Sequence, residues 1–394
     1  MQVDLSSRLG TRKTTTTAGE KVSAYVPKPL PPHPPVDVAR LLGRLDKANL
    51  ALGRLDGITS ILPSTRLFVF MYVRKEALLS SQIEGTQSSL SDLLLFENHE
   101  EPFVPLDDVQ EVSTYIAAME HGLDRIAGGF PLSLRLIKEM HDILLKTGRG
   151  SSMQPGEFRH SQNWIGGTRP GNALFVPPPH ELVDDCMGAL EKFLHDRRTY
   201  PVLIRAALAH VQFETIHPFL DGNGRLGRLL ITLLLCEEKV LSEPLLYLSL
   251  HLKTHRKRYY DLLQLVRETG DWEAWIEFFL DGVIETAEQG ISTARRLQAL
   301  FQEDRVRINK LGRASPSALR LHDAFQLLPI MGVPEAAKRL ATSQPTIQKS
   351  IEHMQELGIV REVTGKRRKR LYRYTRYLEI LDEGTEPLPR SEKG

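Results

Sequence analysis

Apolar residues recur at spacings of three and four along most of the chain, which is the periodicity of amphipathic helices. The pattern begins at Val36 and continues to about Leu95. It returns further along the chain and predicts helices over residues 107–127, 131–147, 180–196, 201–215, 224–238, 255–268 and 271–297. The sequence therefore predicts a mainly α protein, with an N-terminal helical region over residues 36–105 and a helical core over residues 106–300.

Two segments break this pattern. Residues 1–35 hold a run of four threonines and six prolines, so we predict a flexible or polyproline arm without helix or sheet. Residues 158–179 hold closely spaced glycines and prolines between two β-favouring pairs, Trp164–Ile165 and Phe175–Val176. That combination predicts a β-hairpin within the helical core.

The C-terminal part of the chain has a pattern of its own. After a charged stretch at 302–316, we predict three short helices and two strands around a basic turn, at residues 318–328, 333–340, 343–357, Ile359–Val363 and Leu371–Tyr374. This is the order of a winged helix-turn-helix domain, over residues 317–380. Residues 381–394 are predicted to form a flexible tail.

Composition narrows the class of protein. With 394 residues, 41% hydrophobic, 25% charged and a formal charge of +2, the chain is typical of soluble globular proteins with two or three domains. Cys186 and Cys236 lie far apart, which excludes a zinc ribbon, a redox dithiol and a disulfide scaffold and fits a reducing cytoplasm. The longest apolar run, Leu229–Cys236, is too short to span a membrane, and the N-terminus has no signal-peptide pattern.

The strongest chemical signal is the segment from His217 to Arg228, which reads HPFLDGNGRLGR. Pro218 disfavours the helical conformation for the residue before it, so His217 is expected at the end of a helix, facing a loop. Gly222, Asn223 and Gly224 allow unusual backbone angles just before the next helix. Several backbone N–H groups can then point at one anion, reinforced by the helix dipole.

Three charged side chains of the same segment complete a phosphate site. Arg225 and Arg228 are three residues apart and project from one helix face, where guanidinium groups can pair with phosphate oxygens. Asp221 supplies a hard oxygen ligand suited to the Mg²⁺ that accompanies a nucleoside triphosphate.

Two other interpretations of these residues are weaker. Glu214 and His217 have the Glu-x-x-His spacing of a di-iron helix bundle, but such a site needs a second pair, and the sequence offers none on a suitable helix. The GxxxxGK[ST] pattern of a P-loop is absent, so nucleotide binding here would need a different cradle.

The segment resembles the motif of the Fic family, HPFx[D/E]GNGRxxR, at every defined position. The resemblance implies a helical core and transfer of AMP from ATP to a Ser, Thr or Tyr hydroxyl of a target protein. It implies that His217 is the general base, that Asp221 binds Mg²⁺, and that Arg228 meets the γ-phosphate. The implied nucleotide site runs along Gly222, Asn223, Gly224, Arg225, Leu226, Gly227 and Arg228.

The resemblance extends to two flanking segments. The hairpin at 158–179 is similar to the family's flap, where Ile165, Gly166, Gly167 and Thr168 would border the nucleotide and the target would lie along a strand edge. Tyr259 and Tyr260 are similar to a tyrosine pair near the adenine. Arg267 stands where some relatives carry an adenine-contacting Asn, so the resemblance supports phosphate chemistry more firmly than adenine specificity.

A second motif lies earlier in the chain, at Ser80–Gly85. By itself it is typical of a helix end with an exposed Glu and a C-cap Gly. It also resembles the inhibitory [S/T]xxxE[G/N] motif of one Fic subclass, which begins here at Ser80. The resemblance implies that Glu84 pairs with Arg228 in place of the γ-phosphate.

The C-terminal region carries concentrated positive charge, with eleven Lys or Arg against five Asp or Glu between residues 331 and 380. The basic turn, Lys366, Arg367, Arg368, Lys369 and Arg370, would touch DNA phosphates if the region is a DNA-binding winged helix. Protein docking or homodimer formation is the alternative.

The sequence thus predicts an autoinhibited protein adenylyltransferase that uses ATP and Mg²⁺ and also modifies itself. Three alternatives stay open. One is a DNA-binding transcription regulator whose core senses nucleotide or modifies the protein itself. The others are transfer of another nucleotide and removal of AMP with help from Glu84.

Overall fold

The computed structural model describes residues 5–58, 65–97, 104–148 and 150–389. The fold is mainly helical, as predicted. Up to residue 309 the helices are α1 Val38–Ile58, α2 Thr65–Ile83, α3 Leu90–Glu97, α4 Leu106–Ala127, α5 Leu134–Leu144, α6 Val183–Leu194, α7 Val202–Ile216, α8 Asn223–Glu237, α9 Ser249–Thr254, α10 Arg256–Thr269 and α11 Trp272–Asn309. No helix in the described ranges is long and apolar enough to span a membrane.

Helices α7 and α8 pack against each other at the centre of the core. Every residue of α7 from Leu203 to Ile216 is buried, and so is nearly all of α8. A helix that is covered on all sides needs apolar residues all round rather than a single stripe, which explains the run Leu229–Leu235. The surrounding helices α4, α5, α6 and α11 supply that cover, and α1 lies along α11.

The prediction of a flexible arm over residues 1–35 is wrong where the structure describes it. Two strands, β1 Thr11–Thr17 and β2 Glu20–Val26, form an antiparallel hairpin. Ala18 and Gly19 both have positive φ, 49° and 81°, which matches the twist of a two-residue hairpin turn. The threonine run is β-branched and therefore favours a strand once a partner strand is present.

Buried contacts attach this N-terminal segment to the core. The Arg8 guanidinium donates to Glu273 Oε2 at 2.7 Å and to the carbonyl oxygens of Pro34 and Pro35 at 2.8 and 2.7 Å. The Tyr25 backbone N–H donates to the carbonyl of Val176 at 2.9 Å. The hairpin therefore lies along one edge of the segment 158–179.

The segment 158–179 is less regular than the predicted hairpin. Its two limbs meet at a single β-bridge between Ile165 and Phe175, with a short 3-10 helix, Pro170–Asn172, at the tip. One edge of the 174–176 limb is paired with β2, so backbone pairing with another peptide is left to the other limb.

The C-terminal region has the predicted order of helices and strands. Its elements are α12 Ser315–Leu327, β3 Ile330–Gly332, α13 Val333–Arg339, α14 Gln344–Glu356, β4 Val360–Glu362, β5 Leu371–Tyr374 and α15 Thr375–Asp382. The three strands form an antiparallel sheet in the order β3-β5-β4. The sequence missed β3, α9 and α15, because each is too short to show a period.

The first half of the charged stretch at 302–316 continues α11, which ends at Asn309. Asp304 is fully buried in this part of the helix and accepts a hydrogen bond from the Tyr374 hydroxyl at 2.8 Å. A carboxylate inside the interface between α11 and the C-terminal region hides the apolar period from sequence analysis.

The predicted flexible tail also has fixed contacts up to residue 388. Lys75 Nζ donates to the Glu383 carbonyl at 2.8 Å, and Gln82 Nε2 donates to the Thr385 carbonyl at 2.8 Å. Arg296 forms a bidentate ion pair with Glu383. Residues 381–382 belong to α15, and Gln87 Nε2 donates to the Leu388 carbonyl at 3.4 Å. The tail therefore packs against α2 and the residues after it, and the prediction of flexibility is wrong for residues 381–388.

Candidate active site

His217 stands at the C-terminal end of α7, in the left-handed backbone conformation with φ 50° and ψ 61°. The helix ends there because Pro218 disfavours the helical conformation for the residue before it. The buried Arg159 fixes the turn: its Nε donates to the His217 carbonyl at 3.0 Å, and its backbone N–H donates to the Pro218 carbonyl at 2.9 Å. The predicted place of His217 at the mouth of a loop is confirmed.

The electrostatic environment keeps the His217 imidazole neutral. Burial lowers its pKa from 6.5 to about 3, and the nearby charges of Arg267 and Arg159 act in the same direction. The Glu214 backbone and the Glu84 carboxylate oppose this shift and do not outweigh it. A neutral imidazole can accept a proton, so the geometry suits a general base.

The loop after His217 is closed by the side chain of Asn223. Its Oδ1 accepts from the Phe219 backbone N–H at 2.9 Å, and its Nδ2 donates to the Phe219 carbonyl at 2.8 Å. Gly222 precedes α8 with φ 78°, a conformation that favours glycine. The first turn of α8 then begins at this loop with its backbone N–H groups at the positive end of the helix dipole.

His141 in α5 supports the loop of residues 217–222 through a hydrogen bond and a ring contact. Its Nδ1 accepts from the Gly156 backbone N–H at 2.9 Å, so the proton lies on Nε2, which donates to the Asp221 carbonyl at 3.0 Å. The ring stacks on Phe219 with centroids 3.7 Å apart. Burial lowers the pKa of His141 to about 4, which keeps this donor and acceptor arrangement at neutral pH.

Asp221 and Arg225 form the charged side of the loop. The Asp221 side chain is 43% exposed, whereas Arg225 is almost fully buried, and their Oδ2 and Nη2 atoms are 3.7 Å apart. Arg225 Nη1 also lies 3.4 Å from Oε2 of the buried Glu111 in α4. An exposed carboxylate beside the N-terminus of a helix fits the way Mg²⁺ is held by one carboxylate and substrate phosphates.

These groups line a cavity of about 210 Å³. Its walls are formed by Glu84, Glu111, His217, Leu220, Asp221, Gly222, Asn223, Gly224 and Arg225. The structure thus brings together the predicted base, the predicted metal ligand, the helix end and the first arginine of the motif.

Glu84 reaches the same site from the end of α2. Arg228 Nη2 donates to Glu84 Oε1 at 2.6 Å and to the Ser80 carbonyl at 3.0 Å, and Arg228 Nε donates to Ser80 Oγ at 2.8 Å. A Cβ added to Gly224 would collide with Glu84 Oε1. The carboxylate therefore lies directly over the first turn of α8.

The charges of this contact stabilise each other. Burial alone would raise the pKa of Glu84, but the charge and hydrogen bond of Arg228 outweigh it, so the pKa of Glu84 is lowered. Burial opposes the charged form of Arg228 as well, yet the Glu84 carboxylate holds the pKa of Arg228 above its ordinary value.

Other residues that the resemblance assigned to the nucleotide lie outside the cavity wall. Leu226 packs into the hydrophobic core, and a Cβ on Gly227 would approach Glu214 Oε1 to 2.5 Å. Tyr259 is buried and donates its hydroxyl hydrogen to His210 Nε2 at 2.9 Å, while Tyr260 is 39% exposed.

The four flap residues also lie away from that wall. Gly166, Gly167 and Thr168 are exposed, and Ile165 forms the β-bridge to Phe175. Gly166 and Gly167 both have positive φ, 69° and 74°, so they shape the turn of this segment.

Arg267 has a structural contact that the sequence did not indicate. Its guanidinium donates to the Glu214 carbonyl and to Thr215 Oγ1, each at 3.1 Å, and lies 4.0 Å from the centre of the Phe175 ring. It therefore connects the last turn of α7 with the segment 158–179. Burial lowers the pKa of Arg267 to about 10.

Sequence reasoning missed Glu111 and His141. His141 is the one buried polar residue of α5, and Glu111 shares the buried face of α4 with Asp108; nothing in the local pattern separates either residue from a surface residue. Glu214 and His217 do not belong to any cluster of three or more His, Cys, Asp or Glu side chains within the described ranges, which argues against the di-iron interpretation.

Comparison with known proteins agrees with this geometry. Residues 42–124 match the Fic/DOC family N-terminal region, and residues 131–235 match the Fic/DOC family domain. The protein adenylyltransferase Fic of Aedes aegypti is 35% identical over 153 residues, which cover 38% of this chain and 27% of that protein. The Drosophila yakuba protein of the same name is 31% identical over 186 residues, covering 46% and 34%. The chain thus spans about a third or less of the length of these curated relatives.

Two solved structures share the fold. A Fic family protein from Desulfovibrio desulfuricans G20 has a TM-score of 0.57 at 20% identity, covering 85% of this chain and 95% of that chain. A Fic domain containing signaling protein from Bacteroides thetaiotaomicron VPI-5482 has a TM-score of 0.52 at 18% identity, covering 64% and 97%. The part of the chain from residue 42 to residue 235, which holds both matched regions and the complete motif around His217 at the end of α7, is therefore a Fic/DOC family region.

Proposed function

We propose that this protein is an adenylyltransferase that transfers AMP from ATP to a hydroxyl side chain of a target protein, and that Glu84 restrains this activity. The observation that carries the proposal is the position of a neutral His217 beside the N-terminus of α8. Arg228 of the same helix forms an ion pair with Glu84. Relatives named protein adenylyltransferase Fic support the same reaction class.

In the proposed reaction, the hydroxyl oxygen of a target Ser, Thr or Tyr attacks the α-phosphorus of ATP. His217 takes the hydroxyl proton as the new P–O bond forms and the bond to pyrophosphate breaks. The backbone N–H groups at the start of α8 and the guanidinium of Arg225 face the developing negative charge. Asp221 would hold Mg²⁺, which neutralises phosphate charge when bound.

Glu84 acts as a competitor in this scheme. Its carboxylate lies over the first turn of α8, where a phosphate would be favoured for the same electrostatic reason. It also occupies Arg228, whose guanidinium is otherwise suited to the γ-phosphate. ATP can then bind productively only after the Glu84 carboxylate moves away.

The test uses the wild-type protein and the Glu84→Gly variant, each incubated with lysate proteins and with each of the four nucleoside triphosphates. We expect AMP adducts on Ser, Thr or Tyr of target proteins, and on the protein itself, by mass spectrometry in the Glu84→Gly sample with ATP. His217→Ala in the same background is the control and should remove them. Adducts of another nucleotide, or loss of AMP from a modified protein, would support the alternative activities instead.

We propose DNA contact as a second function, because the basic turn from Lys366 to Arg370 is exposed beside the hairpin of β4 and β5. Ser343, which caps α14, and Gln344, its first residue, are exposed as well and can hydrogen-bond base edges or phosphates. Replacing all five basic residues should weaken duplex binding and flatten its salt dependence, with unchanged self-modification. Absence of salt-sensitive duplex binding in the wild type would favour protein docking or homodimer formation.

A further inference from the structure

One cluster of metal-binding side chains lies within the described ranges, away from the loop of residues 217–228. His251, His255 and Glu285 each offer one nitrogen or oxygen atom, and these atoms lie within 4.8 Å of one another. His251 lies in α9, His255 directly follows that helix, and Glu285 lies in α11. The cluster therefore joins two helices that are separate in sequence.

The two histidines share one face of a helical turn. The His255 backbone N–H donates to the His251 carbonyl at 3.0 Å, which is the hydrogen bond of an α-helical turn. The two rings have centroids 4.6 Å apart. Histidines four residues apart on one helix face form a common pair of zinc ligands.

The third ligand comes from α11. Glu285 Oε2 lies 2.7 Å from His251 Nδ1, and the Glu285 side chain is 61% exposed. Gly282 lies one turn before Glu285, and a Cβ at that position would come within 2.6 Å of His251 Cδ2. The glycine thus leaves room for the His251 ring against α11, close to the carboxylate.

We propose that His251, His255 and Glu285 bind a divalent transition-metal ion of the zinc class. Two imidazoles and a carboxylate are ligands that suit Zn²⁺ and its neighbours better than Mg²⁺ or Ca²⁺. Metal–ligand distances of about 2.1 Å place the donor atoms of a tetrahedral site about 3.4 Å apart. The donor atoms of this cluster already lie within 4.8 Å of one another, so small rotations of His255 and Glu285 can bring them to that spacing. Both side chains are exposed, and solvent can supply the fourth ligand.

The site lies beside the helix that carries Glu84. The Ser249 backbone N–H, at the start of α9, donates to Glu76 Oε2 at 3.1 Å, and Arg256 Nε donates to the Ile83 carbonyl at 3.1 Å. A bound ion would connect α9 to α11 at His251 and His255, which lie in sequence between Ser249 and Arg256, the two residues that contact α2. The proposal is independent of nucleotide transfer and is tested without an activity assay.

The test is a Co²⁺ titration of the full chain, free of affinity-tag histidines and with excess Mg²⁺ present, followed by visible absorption. We expect one equivalent of Co²⁺ to give saturable visible bands that Zn²⁺ then abolishes. His255→Ala and Glu285→Gln should each weaken binding about tenfold or more. His353→Ala is the control. His353 is exposed and pairs with Glu356, but the two belong to no cluster of three metal-ligating side chains in the described ranges, so this variant should leave Co²⁺ binding unchanged.

Both test variants change exposed side chains, so circular dichroism of the metal-free proteins should match the wild type. The proposal is overturned if no saturable Co²⁺ signal appears in the folded wild-type protein. It is overturned equally if His255→Ala and the wild type bind Co²⁺ with the same affinity.

Discussion

Replacing Glu84 by glycine tests the proposed restraint directly, because activity and stability should change in opposite directions. The substitution removes the carboxylate that accepts from Arg228 Nη2 at 2.6 Å and leaves the Ser80 contacts of Arg228 in place. Residue 84 follows the last residue of α2, so the glycine does not interrupt that helix.

The size of the effect follows from the exposure of the two partners. A hydrogen bond to a charged group contributes about 1.5–3 kcal/mol. Arg228 is 2% exposed but Glu84 is 36% exposed, so solvent screens the pair and the lower end of that range applies. About 1.5 kcal/mol corresponds to roughly a tenfold higher population of Arg228 that is free to meet a phosphate.

The assay is the initial rate of self-modification with ATP labelled at the α-phosphate, at saturating ATP and Mg²⁺, together with thermal unfolding. We expect the Glu84→Gly rate to rise about tenfold and the free energy of unfolding to fall by about 1–2 kcal/mol. Adding Arg228→Ala should remove most of the gain in rate, because the freed arginine is what the first substitution supplies.

Glu97→Gly is the matched control. Glu97 forms a partly buried pair with Arg74 of α2, with two hydrogen bonds at 2.8 and 3.1 Å, away from the cavity. This variant should lose similar stability without a gain in rate. Equal rates for wild type and Glu84→Gly would refute the reasoning, and an equal rise in Glu97→Gly would show that loosening α2 suffices.

Three further outcomes are expected. The pKa of His217 is lowered to about 3, so its imidazole stays neutral as the pH falls. We therefore expect kcat of Glu84→Gly to stay nearly constant from about pH 8 to about pH 6. An imidazole with an ordinary pKa would lose activity about fourfold over this range. His217→Ala should abolish transfer while nucleotide affinity, measured by calorimetry, stays within about threefold. Deleting residues 383–394 removes the tail's hydrogen bonds to Lys75 and Gln82 and should lower the free energy of unfolding by about 2 kcal/mol, measured by thermal unfolding; an unchanged transition would contradict these contacts.

Local rules determined much of the molecule from the sequence. The period of three and four gave most helices to within a few residues, since burying one face of a helix requires that spacing. The order His217, Pro218 and the glycines predicted a helix end, a loop and a new helix, because proline and glycine act on their own backbone and their neighbours. The motif therefore predicted the local backbone of a candidate phosphate site before any tertiary contact was known.

Contacts between distant parts of the chain were decided by tertiary structure. Glu84 and Arg228 are 144 positions apart, and only packing of α2 on the core places the carboxylate over α8. Glu111 and His141 belong to the site for the same reason, although each looks like an ordinary polar residue of its own helix. The N-terminal hairpin and the tail looked flexible because their partners, Val176 and the side chains of α2, are remote in sequence. Periodicity reports which face of an element is buried, but not which element covers it.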